Sequence, residues 1–167
     1  MPAAELAIAG RGSRHEELET VVEDHELRDA VHLLGSRPDA RQLMRACDVF
    51  ALSSHWEGLP VALLEAMEAE APIVATRVGD VPAVLGDACG RIVEPGDVDA
   101  LADAIVQTLH DVEVGADVVS GCRQRVAERY SSPQWAREVV GHYEAALVNR
   151  SRPRRGSRPT RLSDRPA

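Results

Sequence analysis

The chain has 167 residues, a net charge of -8, 44% apolar residues and only 3% aromatics. That length supports one domain with a real core, built from Ala, Val, Leu and Ile, rather than two. No apolar run approaches the ~18 residues of a membrane span, and Met1 to Glu5 hold no basic stretch followed by an apolar one, so neither a transmembrane segment nor a signal peptide is expected.

The charge is unevenly spread. From Arg150 onward there are seven arginines and one acid, Asp164, whereas the preceding residues carry twelve arginines and twenty-six acids. Every basic residue is arginine, and lysine is absent. Residues 150–167 are rich in Arg, Pro and Ser with almost nothing apolar, so they read as a disordered basic tail behind a domain at 1–149. A solvated extension is preferred for that tail over an anionic-surface or nucleic-acid contact. Cys47, Cys89 and Cys122 are odd in number and far apart. They read as buried free thiols of a reducing, cytoplasmic compartment, not as a disulfide or zinc set.

In chain order, Leu6 to Ala9 forms a strand ended by Gly10-Arg11-Gly12. Ser13 caps a helix to about His25, with Glu16 as its capping-box partner. Val31 to Leu34 is a second strand stopped by Gly35. Asp39 caps a helix holding Leu43, Met44 and Cys47, and Val49 to Leu52 is a third strand. After the segment 53–67, Pro72 to Thr76 is a fourth strand and Val81 to Leu85 a short helix. Arg91 to Val93 is a fifth strand, followed by Asp97 capping a helix with Leu101, Ile105 and Leu109 in register. Helices over about Val118 to Arg129 and Pro133 to Val148 complete the chain; Trp135, Val139, Val140, Tyr143 and Leu147 share the apolar face of the last. Strands alternating with helices predict an α/β fold with a doubly wound, mostly parallel, Rossmann-like sheet.

The segment 53–67 carries the chemistry. Glu57 precedes the helix that enters through Gly58 and Pro60, and Glu65 lies two turns into it. Glu65 is the only polar residue between Pro60 and Met67. A buried carboxylate there needs hydrogen-bond donors, which ligand hydroxyls supply; a carboxylate that snorkels to solvent or bonds a nearby backbone group is an equal alternative. The amides of Gly58 to Ala62 lie at the positive end of the helix, where phosphate binds. Glutamates for hydroxyls beside amides for phosphate describe a nucleotide-sugar site. A rival reading takes Gly10-x-Gly12 as a dinucleotide loop, but the third glycine position is His15.

The run Ser-x-x-Glu-Gly-x-x-x-x-Leu-x-Glu-Ala-Met at 54–67, followed by Pro-x-Val-Ala-Thr at 72–76, resembles the retaining glycosyltransferases of the GT-B fold, family 4, in their C-terminal, donor-binding domain. The resemblance extends from Leu6 to about Leu147 and includes Ala-Cys-Asp-Val-Phe before the motif and Ile-Val-Glu-Pro-Gly-Asp after it. It implies transfer of a sugar from a nucleotide diphosphate donor, with no cofactor and no metal at the diphosphate. Glu57 matches the glutamate that contacts the donor sugar at the transfer centre, and Glu65 the one that holds the ribose hydroxyls. Gly58, Leu59, Pro60 and Val61 match the loop and helix start facing sugar and diphosphate. Gly35, Ser36 and Arg37 fall near the base-binding edge.

Departures from that pattern set further expectations. The family's Arg and Lys that clamp the diphosphate would precede Leu6. So would the first strand of the domain, which lies between the strands 6–9 and 49–52 in the 3-2-1-4-5-6 order. Its absence leaves a slot roughly 10 Å wide with unpaired backbone on both edges. Three outcomes are expected: a partner supplies a strand, the halves close up, or the isolated chain is poorly stable. The acceptor domain is also absent, so the chain is expected to be inactive unless a separate N-terminal GT-B domain joins it; a non-catalytic protein that binds nucleotide sugar or serves as a scaffold is the alternative. The face of the last helix that would meet that domain is expected to be exposed or repacked. Glu70 replaces a usual Gly, which removes a positive-φ residue from the turn. Asp80 follows Gly79 where a second Gly is usual, and Ala83 stands at a usual Glu. No nucleic-acid partner is expected, and membrane contact is not indicated.

Overall fold

The computed structural model describes residues 4–111 and 116–150. Its elements are β1 (Leu6–Ala9), α1 (His15–Asp24), β2 (Val31–Gly35), α2 (Ala40–Ala46), β3 (Phe50–Leu52), α3 (Val61–Glu68), β4 (Ile73–Thr76), α4 (Val81–Leu85), β5 (Arg91–Val93), α5 (Val98–His110), α6 (Ala116–Arg129) and α7 (Ser132–Arg150). The alternation is the expected one, and every strand pair is parallel. The residues divide into two compact units, one up to Val126 and one from Ala127. Within the second, Trp135, Val140 and Tyr143 are exposed on α7. The basic tail beyond residue 150 lies outside the described residues. Among the described residues no helix is long and apolar enough to cross a membrane.

The strands form two separate ladders, β1-β2 and β3-β4-β5. Leu6 pairs with Val31 and Phe50 with Ile73, but no ladder joins β1 to β3. The halves have therefore not closed up through strand pairing, and among the described residues β1 and β3 each keep an edge outside any ladder.

Burial is one-sided. All four residues of β4 are buried, and Leu63, Ala66 and Met67 of α3 and Val81, Val84 and Leu85 of α4 pack into the same core with Ala104 of α5. The apolar run of β4 is what a strand covered on both faces requires. Between residues 4 and 59, by contrast, no residue is buried. Leu6, Leu18, Val21 and Leu27 remain exposed there. Hydrophobic burial, the main favourable term in folding, is concentrated around β3-β4-β5.

Local signals fared unevenly. Asp97 caps α5 as its sequence predicts, accepting from Ala100 N at 2.9 Å. Ser13 does not cap α1, whose N-cap is Arg14, with its guanidinium on Glu17 one turn on. Asp39 sits at the N-cap of α2 but makes no cap bond, because Arg37 takes both its oxygens at 2.7 and 2.6 Å.

Two expectations are overturned. Cys89 and Cys122 are not free thiols. They form a disulfide, with Cα atoms 5.3 Å apart, that ties the approach to β5 to α6; Cys47 alone is free. A separation of 33 residues carries no spacing signature, and only the packing of α6 brings the two together. Arg125 on the same helix donates to the carbonyls of Ala83 and Val84 at 2.8 Å, satisfying the end of α4. Glu70 has not removed the left-handed turn after α3; it adopts φ +61° itself. A non-glycine residue there costs about 1–2 kcal/mol, and the exposed Arg123 pair to Glu70 returns little of it. Glu70→Gly is accordingly expected to stabilise the chain by about 0.5–1 kcal/mol, read from denaturant midpoints; an unchanged or lower midpoint contradicts this.

Candidate functional site

The site begins where β3 ends. Pro60 is the N-cap of α3, extended at ψ 106°, and no side chain caps the helix. Leu63 N and Leu64 N reach back to Pro60 O at 3.1 and 3.4 Å. The amides of Val61 and Ala62 therefore have no intrahelical acceptor, and they lie at the positive end of the helix dipole. Pro60 is buried, while Leu59 and Val61 are exposed, as is Trp56 in the same loop.

Glu57 is half-buried and accepts a hydrogen bond from Ser54 Oγ at 2.7 Å. The backbone beside it is held by the loop after β4. Asp80 N donates to Gly58 O at 3.1 Å. Gly79 presses onto the Glu57 peptide so closely that a Cβ would lie 2.0 Å from Glu57 O. Its φ of +48° is also one that glycine tolerates best. The Gly79-Asp80 departure thus falls in direct contact with the glutamate loop.

Glu65 reaches part-way to solvent, as the snorkelling alternative allows. It is neither fully buried nor bonded to backbone: its side chain is 30% exposed and pairs with Arg41 Nε of α2 at 3.2 Å. Arg41 also reaches Glu68 at 3.4 Å. Pairs this exposed contribute about 0–1 kcal/mol, so ligand hydroxyls can compete for the Glu65 carboxylate. Gly35 closes β2, and its carbonyl accepts from Gly10 N at 2.7 Å. Ser36 and Arg37 lead into α2, the helix that carries Arg41. Arg37 itself is committed to Asp39, whose carboxyl its guanidinium holds below the usual carboxylate range. No contact among the described residues joins Arg37 to either glutamate.

Glu57, the free amides and Glu65 therefore share one strand–helix segment at the carboxyl end of β3, the position where parallel α/β sheets bind ligands. A cavity lined by Ala71, Ile73, Cys89, Arg91, Thr108 and Cys122 lies instead at the amino ends of β4 and β5, beside the disulfide. It includes neither glutamate and belongs to the opposite end of the sheet.

A family model described as "Glycosyl transferases group 1" matches residues 1–111. The chain belongs to the group 1 glycosyltransferases. It is 32% identical over 143 residues to N-acetyl-alpha-D-glucosaminyl L-malate synthase of Bacillus anthracis, covering 84% of this chain and 36% of that protein. It is 30% identical over 134 residues to MMP alpha-(1->4)-mannosyltransferase of Mycolicibacterium hassiacum, covering 78% and 33%. The crystal structure of Anabaena Alr3699/HepE in complex with UDP-glucose superposes with a TM-score of 0.79 at 24% identity, over 87% of this chain and 42% of that one. That likeness establishes a GT-B-type, Rossmann-like half-domain. This group 1 glycosyltransferase chain spans about a third of the length of the relatives it matches.

In this glycosyltransferase domain, sequence reasoning missed three supports of the site: Ser54, Arg41 and Thr76, whose hydroxyl donates to Ser54 O at 2.6 Å. Ser54 and Thr76 lie inside the motif runs that carried the resemblance, so their positions were visible although their partners were not.

Proposed function

We propose that the chain binds a nucleoside diphosphate sugar and forms the donor half of a retaining glycosyltransferase. One observation carries this reading: two carboxylates, Glu57 and Glu65, flank the uncapped amino end of α3. In it, Glu57 contacts the donor sugar, Glu65 the ribose hydroxyls, and the amides from Gly58 to Ala62 the diphosphate. Leu59, Pro60 and Val61 shape the wall of the sugar pocket, while Gly35, Ser36 and Arg37 border the base. Preorganised amides offset the charge that develops on the leaving diphosphate, without a metal or cofactor. In this reading the acceptor is bound outside the residues that form the donor half. The compartment proposed for this activity is the cytoplasm, where a bridge such as Cys89–Cys122 is unusual.

The test is calorimetric titration with UDP, GDP and ADP, each with and without its glucose conjugate. UDP-glucose comes first, because HepE was crystallised with it. Glu65→Ala is expected to weaken nucleotide binding by about 1–3 kcal/mol, the worth of hydrogen bonds to a charged group. Equal affinity in wild type and Glu65→Ala removes the ribose assignment. No binding of any of the six ligands removes the reading as a whole.

A further inference from the structure

Glu57 cannot be aimed by its own helix, because it lies in the loop before α3. What holds it comes from β4, a separate element beyond α3. Thr76, the last residue of β4, is only 3% exposed, so its hydroxyl needs a partner inside the fold. It has two carbonyls in reach, Ser54 O at 2.6 Å and Leu52 O at 3.3 Å. With one proton to give, it favours the nearer, Ser54 O. That bond fixes the Ser54 peptide just past the end of β3, where the ladder no longer does so, since the last β3–β4 pair is Leu52 with Ala75. The Ser54 hydroxyl in turn donates to Glu57 Oε1 at 2.7 Å. Thr76 to Ser54 to Glu57 is thus a two-step relay from a buried strand end to the half-exposed carboxylate.

We infer that Thr76 is a positioning residue for Glu57, acting through Ser54 to set the carboxylate at the angle in which it meets the donor sugar. This rests on the proposed contact between Glu57 and that sugar. It assigns the two hydroxyls different parts. Ser54 holds the carboxylate directly, and Thr76 holds the peptide from which Ser54 reaches out. The relay serves the sugar and not the nucleotide, because Glu65, Arg41 and the α3 amides make none of its bonds. Valine in place of Thr76 keeps the shape of the side chain and deletes only the donor, whereas serine keeps the donor.

Two measurements test the relay. The first is the affinity of wild type, Thr76→Val, Thr76→Ser and Ser54→Ala for UDP and UDP-glucose, with GDP and ADP pairs in parallel. Thr76→Val and Ser54→Ala are expected to lose about tenfold in affinity for the sugar nucleotide. Affinity for the bare nucleotide changes less than twofold, and Thr76→Ser behaves as wild type. Equal losses for nucleotide and sugar nucleotide mean a general structural role and overturn the inference. So does a wild type that binds nucleotide with no gain from the sugar. The second is the crystal structure of Thr76→Val. The inference expects Ser54 Oγ to move beyond hydrogen-bond distance of Glu57, and an intact bond near 2.7 Å overturns it. If wild type binds none of the ligands, the proposed function fails, and this geometry alone still decides whether Thr76 sets Glu57.

Discussion

Replacing Gly79 by alanine is expected to destabilise the chain by about 2–5 kcal/mol and to abolish ordered donor binding. The figure combines a left-handed backbone penalty of about 1–2 kcal/mol with overpacking of about 1–3 kcal/mol. The added Cβ would sit 2.0 Å from Glu57 O and 2.9 Å from Gly58 O, both backbone atoms that no rotamer change can move aside. Relief requires the Gly79-Asp80 turn and the glutamate loop to part, breaking the bond from Asp80 N to Gly58 O. Gly58→Ala is the matching control. Nothing lies within 4 Å of a Cβ at Gly58, so stability there changes by no more than about 0.5 kcal/mol. Loss of binding in Gly58→Ala without loss of stability would then report contact with ligand. Denaturant unfolding of both variants beside wild type decides the matter; equal midpoints for Gly79→Ala and wild type contradict the contact.

Reduction of Cys89–Cys122 carries the second large effect. The bridge closes a loop across 33 residues of separation, for which restriction of the unfolded chain is worth roughly 3–4 kcal/mol. Both cysteines are nearly buried, at 8% and 4% exposure, and a buried thiol behaves as a small apolar group. The reduced pair therefore stays packed, and the loss comes mainly from the freed unfolded chain. Wild type with a dithiol reductant and the double variant Cys89→Ala, Cys122→Ala are both expected to unfold at lower denaturant than the oxidised chain. Nucleotide affinity under folding conditions should be unaffected, because the bridge lies at the amino ends of β4 and β5 and the glutamates at the carboxyl end of β3. Coincident unfolding curves with and without reductant would show that the bridge adds nothing.

Much of the fold was legible because its strands are short apolar runs bounded by glycine or proline, such as Ile73 to Thr76 after Pro72. The pair Glu57 and Glu65 stood out through the resemblance of the run 54–67 to the family 4 motif, since spacing alone left a non-binding Glu65 as an equal alternative. Their partners did not. Arg41 meets Glu65 from 24 residues away, Thr76 meets Ser54 from 22, and Cys89 meets Cys122 from 33. Such contacts depend on how elements approach one another, which periodicity does not encode. Even local rules yielded where a competitor stood nearby. Asp39 has the right place for a cap, but Arg37 two residues earlier offers its carboxylate a charged fork instead of a single amide. Glu70 shows the converse, a turn geometry that persists without the residue that best suits it.

The absence of any buried residue between 4 and 59 bears on how affinity is to be interpreted. Glu65 and the α3 amides stand on the well-packed half, whereas Gly35, Ser36 and the α2 helix with Arg41 belong to the half with little burial. Few buried apolar contacts mark the low-stability end of a fold, so a ligand touching both halves would stabilise the second by mass action. On the proposed assignment, the base meets Gly35 and Ser36, which lack buried neighbours in their own stretch, whereas the ribose meets Glu65 on α3, whose inner face is buried. Anything that pairs with the open edges of β1 or β3 would raise nucleotide affinity without touching the nucleotide.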